Sequence, residues 1–343
     1  MKAVAFDRHG GPEVLEVRTL PEPVPAPGEA LVRVRACGIN HLDLWVRGGL
    51  PGVALQMPHV PGNDVVGEIA ALGDGVTDLA VGAKTLVHPT LSCGECEACA
   101  AGDDNLCRQY DVLGRRRNGG YAEYVTVPAR NCLPYPERLP WEQAAAAPLV
   151  FLTAWHMLVG RARLQPGEDV LVMGGGSGVG TAAIQIARLL GARTVIATGS
   201  GAGKAERCRA LGAHATIDHA NEDVARRARE LTGRKGVEVV FEHVGGKVFE
   251  AGVAALAKNG RLVTCGATIG AKVSLDLNVL FGRHLALLGS WMGTRSEMLA
   301  VLGPLADGRL RPVVDTVMPL EQARAAHERI ESRAHFGKVV LVP

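Results

Sequence analysis

Between Asp169 and Thr198 the chain reads DVLVMGGGSGVGTAAIQIARLLGARTVIAT. A short apolar run ends in a glycine-rich turn, feeds a helical pattern and returns to a second apolar run. Such a unit has parallel strands joined by a right-handed crossover, and this excludes most other folds for the segment. The alternation continues through KAERCRALGA, ATIDH, VARRARELTG, VEVVFEHVGG, GVAALAKNG and RLVTCGAT. Buried runs of four to six residues alternating with amphipathic helices predict a doubly wound parallel sheet over about 130 residues.

Gly174-Gly175-Gly176-Ser177-Gly178-Val179-Gly180 stands where that fold cradles a pyrophosphate. The backbone must turn sharply there and let an anion approach the free N–H groups of the helix N-terminus. A strict GxGxxG is absent. The useful set is Gly175, Gly178 and Gly180, with Ala183 packing helix on strand. An NAD-binding sheet carries an acid roughly 20 positions past the glycines to accept from the ribose hydroxyl, and here that place is Gly199. Ser200, Lys204 and Arg207 suit a 2′-phosphate instead, which favours NADPH. Lys204 and Arg207 also read as an ordinary exposed helix face, which leaves NADH open.

The first third is different, with short alternating runs (EALVRVRACGI, VVGEIAALG, KTLVHPT, YAEYVTVPA) between turn signals, so it predicts a compact β unit. The tail returns to mixed elements: helices in SEMLAVLGPLADG and EQARAAHERIE and a closing strand GKVVLVP, which folds back on the first unit.

Four of the eight cysteines fall in CGECEACAAGDDNLC: Cys93, Cys96, Cys99 and Cys107. This spacing lets one loop wrap four thiolates around a tetrahedral zinc, and full sulfur coordination leaves no open position for chemistry. One structural zinc per chain is expected. Cys37, Cys132, Cys208 and Cys265 are isolated and read as apolar filler.

Of 343 residues, 47% are hydrophobic and 21% charged, with a formal net charge of +2 from mixed signs. That balance suits two cores and gives no support to nucleic acid as a partner. The basic run Arg115-Arg116-Arg117 reads as a solvated loop. The opening MKAVAFDRHG alternates like a strand, and no run reaches the ~18 apolar residues of a membrane span. A cytoplasmic location and a small-molecule substrate are the expectation.

Taken together, CGINHLDLWVRGG, PGNDVVGEI, the four-cysteine lobe, GGYAEYVTVP, GGGSGVG and the terminal GKVVLVP resemble the medium-chain dehydrogenases/reductases, the superfamily of zinc alcohol dehydrogenases and quinone oxidoreductases. The resemblance covers essentially the whole chain. It implies an α/β architecture: a GroES-like β domain (1–148 and 290–343) with its zinc lobe near 93–107, and a Rossmann domain (149–289), the active site lying between them. It also implies a homodimer or homotetramer, for which the apolar HLALLGSW offers an edge strand.

In the zinc alcohol dehydrogenases three side chains hold a catalytic zinc. Matched motif to motif, those positions here are Asn40, Asn63 and Leu149, none a competent replacement. The neighbouring Glu becomes Asp64, and the proton-relay positions become Leu42 and Trp45. Asn40, Asp43, Asn63 and Asp64 are similar instead to the zinc-free quinone oxidoreductase and enoyl reductase branch, although that branch usually lacks the cysteine lobe. The resemblance further places His41 at the pyrophosphate, Thr153 at the carboxamide and Lys338 at the phosphates, with Val179 and Gly266 in the coenzyme set. Asn40 is expected to donate to a substrate carbonyl, Trp45 to form an apolar wall and Asp64 to hold local hydrogen bonds.

The expected activity is NAD(P)H-dependent hydride transfer to a quinone, enone or enoyl thioester. An alcohol dehydrogenase, with a different metal site built from His41, Asp43, His59, Asp64 and His88 or with none, is the alternative. A non-catalytic nucleotide-binding protein is a third reading.

Overall fold

The computed structural model describes residues 1–343, the side chain of Ala202 excepted, and divides into two compact units, Met1–Leu149 with Thr294–Pro343, and Val150–Gly293. The sequence boundary at 148/149 moves by one residue because the Leu149 N–H is bonded to Asp64 of the first unit. The boundary near 290 moves to 293: Ser290 N–H bonds Thr264 O, and Met292 packs on Thr153, which keeps this stretch with the second unit.

The first unit opens with β1 (Lys2–Ala5), β2 (Glu16–Thr19) and β3 (Glu29–Gly38), then α1 (His41–Gly48) and β4 (Asp64–Leu72). It continues with β5 (Lys84–Val87), β6 (Thr90–Leu91), α2 (Glu97–Ala100), β7 (Asp111–Val112), β8 (Tyr124–Pro128), β9 (Cys132–Pro134) and α3 (Trp141–Ala145). Helix α4 (Pro148–Trp155) contains the boundary, and the second unit continues with β10 (Asp169–Val172), α5 (Gly178–Leu189), β11 (Thr194–Thr198), α6 (Ala202–Ala210), β12 (Ala215–Ile217), α7 (Val224–Leu231) and β13 (Val237–Glu242). It closes with α8 (Gly246–Ala255), β14 (Leu256–Thr264), α9 (Leu277–Gly282) and β15 (Ala286–Gly289). The chain then returns to the first unit through α10 (Arg295–Ala306), β16 (Val314–Pro319), α11 (Ala323–Glu331) and β17 (Lys338–Val342).

In the second unit the strand order is β12-β11-β10-β13-β14-β15, all neighbours parallel. Counted from β10, this is 3-2-1-4-5-6, the Rossmann order, and the direction of winding reverses between β10 and β13. Val170, Leu171 and Val172 are fully buried, as a strand covered by helices on both faces demands.

The main sheet of the first unit runs β16-β17-β3-β4-β5-β9, with β8 also paired to β3. The tail does fold back: β17 lies antiparallel to β3 through Val340↔Gly38 and Leu341↔Cys37, while β4 pairs Asp64 with Gly38. Three strand ends therefore meet at one point, and the first residues of β4 and β17, Asp64 and Lys338, arrive there together. No helix among the described residues is long and apolar enough to cross a membrane.

Candidate functional site

The meeting of β3, β4 and β17 builds a buried polar cluster. Gly38 makes it geometrically feasible, since a Cβ there would stand 2.3 Å from Ala145 O and 3.2 Å from both Asp64 Cβ and Lys338 Cε. Lys338 Nζ donates to Ile39 O (2.6 Å), to Asn40 Oδ1 and to Asp64 Oδ2 (2.9 Å). Asn40 Nδ2 donates to Asn63 Oδ1 and to Asp64 Oδ2 (2.8 Å), and Leu149 N–H donates to Asp64 Oδ1 (2.7 Å). Asp43 closes the cluster by accepting from Asn40 N–H (2.7 Å), Gly62 N–H (3.0 Å) and Asn63 Nδ2 (2.9 Å).

An ammonium has three donors and an amide nitrogen two, so this arrangement spends every donor of Lys338 and of the Asn40 side chain. Two expectations are corrected. Asn40 has no side-chain hydrogen left for a substrate oxygen, and Lys338 is tied into the cluster and 3% exposed, not free for coenzyme phosphates. Both follow from closing a buried network around two carboxylates, which needs all nearby donors. Among the five residues, only the second amide hydrogen of the buried Asn63 is unspent. Burial pushes the Asp43 carboxyl up to about 7, against hydrogen bonds from Asn40 and Gly62 and the charge of Lys338.

On α1, the half-buried His41 and Trp45 sit edge to face with ring centres 5.6 Å apart. The histidines of the alternative metal site have other partners: His59 Nε2 bonds Gly114 O (3.0 Å) and His88 Nε2 bonds Thr90 Oγ1 (2.6 Å). Among the described residues, the one group of His, Cys, Asp or Glu placed to share a metal is Cys93, Cys96, Cys99 and Cys107. Their sulfurs lie within 4.8 Å of one another, with Cys93 to Cys99 at 3.9 Å and Cys93 to Cys107 at 3.5 Å. A tetrahedron with Zn–S of ~2.3 Å has edges of about 3.8 Å, so the residues fit the ion. Backbone N–H groups of Cys96 and Gln109 point at Cys93 and Cys107 sulfurs, which favours thiolates.

A second buried chain escaped sequence reading. His327 Nδ1 faces Arg47 Nη1 (2.9 Å), and a guanidinium only donates, so Nε2 carries the proton and donates to Tyr121 Oη (2.9 Å). Arg47 is also paired with Glu331, which bolts α11 to α1. The basic run likewise differs from a free loop: Arg115 pairs with Asp111 and Arg117 with Glu29, leaving Arg116 exposed.

In the second unit, Ser177 caps α5 by accepting from Gly180 N–H (3.0 Å) while its hydroxyl donates to Gly174 O (2.8 Å). A Cβ on Gly180 would stand 2.3 Å from Gly174 O, so the loop closes only around glycine. The end of β11 pins the same loop: Gly174 N–H bonds Thr198 Oγ1 and Gly175 N–H bonds Thr198 O. Gly178 and Val179 form the first residues of α5, Thr153 is buried with its hydroxyl toward Met292, and Gly266 packs against the backbone of His243. Ser200 is exposed and Lys204 half-buried at the start of α6. Sequence reading missed Glu242 and His243. The signal lies in their position, the last residue of β13 and the one after it, at the strand where the winding reverses.

Two family models match the chain: an alcohol dehydrogenase GroES-like domain over residues 26–137 and a zinc-binding dehydrogenase over residues 178–307. A quinone oxidoreductase of Rattus norvegicus is 30% identical, the match covering 100% of this chain and 98% of that one. The chain belongs to the medium-chain dehydrogenase/reductase superfamily of zinc-type alcohol dehydrogenases and quinone oxidoreductases. A crystal structure described as an NAD-dependent alcohol dehydrogenase is 47% identical, with a TM-score of 0.97 and full coverage of both chains. A crotonyl-CoA carboxylase/reductase in complex with NADP is 27% identical with a TM-score of 0.92, covering 100% of this chain and 94% of that one. This superfamily member is accordingly an NAD(P)-dependent oxidoreductase.

Proposed function

We propose that the enzyme transfers hydride from the nicotinamide C4 of NADPH to the electron-poor carbon of an enone, enoyl thioester or quinone, without a catalytic zinc. The observation that carries this reading is the donor set at the zinc-ligand positions. Asn40 and Asn63 are neutral amides bonded to each other, and Leu149 offers that set its backbone N–H, used by Asp64. Zinc sites are made from thiolate, imidazole and carboxylate, and a leucine contributes nothing. Conjugated acceptors need orientation and a donor for developing enolate charge, but no Lewis acid. With Asn40 committed, that donor comes from Asn63 or from outside the cluster. The coenzyme supplies the hydride; Ser177, Gly178, Val179 and Gly180 would hold its pyrophosphate, and the cysteine lobe keeps a structural zinc.

The quinone oxidoreductase and crotonyl-CoA reductase relatives support this class, whereas the alcohol dehydrogenase relatives favour alcohol or aldehyde. The experiment is NADPH and NADH oxidation against quinones, enones, enoyl thioesters and aldehydes, with metal counted per chain. We expect one zinc per chain and reduction of a conjugated acceptor at a rate unaffected by brief chelation. Two zincs together with alcohol oxidation would overturn the proposal, and coenzyme binding with no turnover of any acceptor would favour a non-catalytic role.

For the coenzyme, the absence of an acid at Gly199 and the placement of Lys204 beside it support NADPH; a Cβ on Gly199 would stand 3.7 Å from Lys204 Cβ. One observation favours NADH: the Asp218 carboxylate, just past the neighbouring strand β12, receives a hydrogen bond from the Gly201 backbone in the turn after β11. Charge-assisted hydrogen bonds are worth about 1.5–3 kcal/mol. Lys204→Glu is therefore expected to raise the NADPH KM by roughly 10- to 100-fold and leave NADH nearly unchanged. Equal effects on both coenzymes would favour NADH.

The assembly proposed is a homo-oligomer that pairs the edge strand β15. Its support is the unpaired outer edge of β15 and the exposed Leu277, Phe281 and Trp291 near it in sequence.

A further inference from the structure

β13 ends at Glu242 beside β10, the strand that feeds the phosphate loop, so the turns after both strands lie at the reversal of winding, where such sheets bind ligands. The turn after β13 is built with unusual care. Glu242 is fully buried, and its carboxylate accepts from Val244 N–H (2.5 Å), Gly245 N–H (2.7 Å) and Thr264 Oγ1 (2.7 Å). A buried carboxylate is costly unless its lone pairs are satisfied, and here the satisfaction fixes the backbone of residues 242–245. His243 is the residue so fixed, and its ring is aimed at the phosphate loop. Nε2 lies 3.1 Å from Ser177 Oγ and 2.9 Å from where a Cβ on Gly174 would stand.

The hydrogen-bond directions are determined. The Ser177 hydroxyl hydrogen goes to Gly174 O, so toward His243 the serine oxygen accepts and Nε2 carries the proton. An imidazole N–H therefore stands beside the capping residue of α5, next to the free N–H groups at that helix end.

We infer that His243 is a coenzyme-binding residue whose single Nε2–H, placed by Glu242, turns from Ser177 Oγ to the pyrophosphate of the bound dinucleotide. This deepens the proposed function and rests on its reading of the phosphate loop. The contact is to a group common to both coenzymes, so it adds affinity without choosing between NADPH and NADH.

The test measures dissociation constants of NADPH, NADH and ADP-ribose, and of adenosine by competition, for the wild type, His243→Leu and His243→Asn, with thermal melts of each. We expect His243→Leu to weaken NADPH, NADH and ADP-ribose alike by about 10-fold, equivalent to roughly 1.4 kcal/mol. Adenosine, which has no pyrophosphate, should change less than 2-fold, and His243→Asn, which keeps a donor, should recover part of the loss. Unchanged affinity for ADP-ribose in both variants, or an equal loss for adenosine, would overturn the inference. Should His243→Leu not fold, the comparison of ADP-ribose with adenosine in His243→Asn decides in the same way. A wild type that binds none of the dinucleotides would instead refute the coenzyme reading itself.

Discussion

Lys338→Met is expected to lower the unfolding free energy by about 3–5 kcal/mol, the usual cost of removing one partner from a buried ion pair. Its ammonium is the positive charge bonded to Asp64, whose side chain is fully buried, and the pair stands 2.9 Å apart with both side chains at most 4% exposed. Methionine retains much of the length and apolar volume, so packing is nearly kept while the charge and three donated hydrogen bonds are lost. Asp64 then keeps its bonds from Asn40 and Leu149 but no countercharge. The coupling should be visible in a double-mutant cycle. Asp64→Asn with Lys338→Met removes both charges and should cost less than the sum of the single variants, by at least 1 kcal/mol. Denaturant melts check this; strictly additive losses would show that the two charges do not support one another.

The same cluster shows how far the sequence could be read. The glycine turn, the four cysteines and the alternation of β10 through β14 were legible because each is a local pattern with one physical meaning. Asn63 and Asp64 were legible as substituted positions, since the matched motifs occur near them in the chain. Lys338 was not legible in its role: it lies 274 residues from Asp64, and only the pairing of β17 with β3 brings them together. His327 and Tyr121, 206 residues apart, were silent for the same reason. A lone histidine in the helical run EQARAAHERIE looks like any surface residue until α11 docks on Arg47. Charge alone does not specify a partner: Lys338 pairs with the buried Asp64, and Arg115 and Arg117, in a run that looks solvated, pair with Asp111 and Glu29.

That docking has a consequence for pH. Burial and the neighbouring Arg47 charge push His327 down to about 3, and burial with Arg295 does the same for His88. Both are neutral in the folded protein at pH 6.5, near their ordinary value, and titrate in the unfolded chain there. Between about pH 6.5 and 3 the unfolded state thus holds one more proton per histidine. Stability is complete above that range and falls by about 1.4 kcal/mol per pH unit per histidine as the solution is acidified. Asp43 acts in the opposite sense. Its folded value of about 7 exceeds the unfolded value, so between about pH 7 and 4 the folded state holds the extra proton and acidification favours folding. Of these three groups, the two histidines outweigh the one aspartate, and the lowered His59, His214 and His243 add to the loss on acidification. Unfolding free energies of the wild type and His327→Gln between pH 7 and 4.5 separate them. Glutamine can accept from Arg47 and donate to Tyr121 without titrating, so the variant's slope should be shallower by one histidine's share, about 1.4 kcal/mol per pH unit. An unchanged slope in His327→Gln would mean that His327 is protonated in the fold, and the direction assigned to its hydrogen bond with Arg47 would then be wrong.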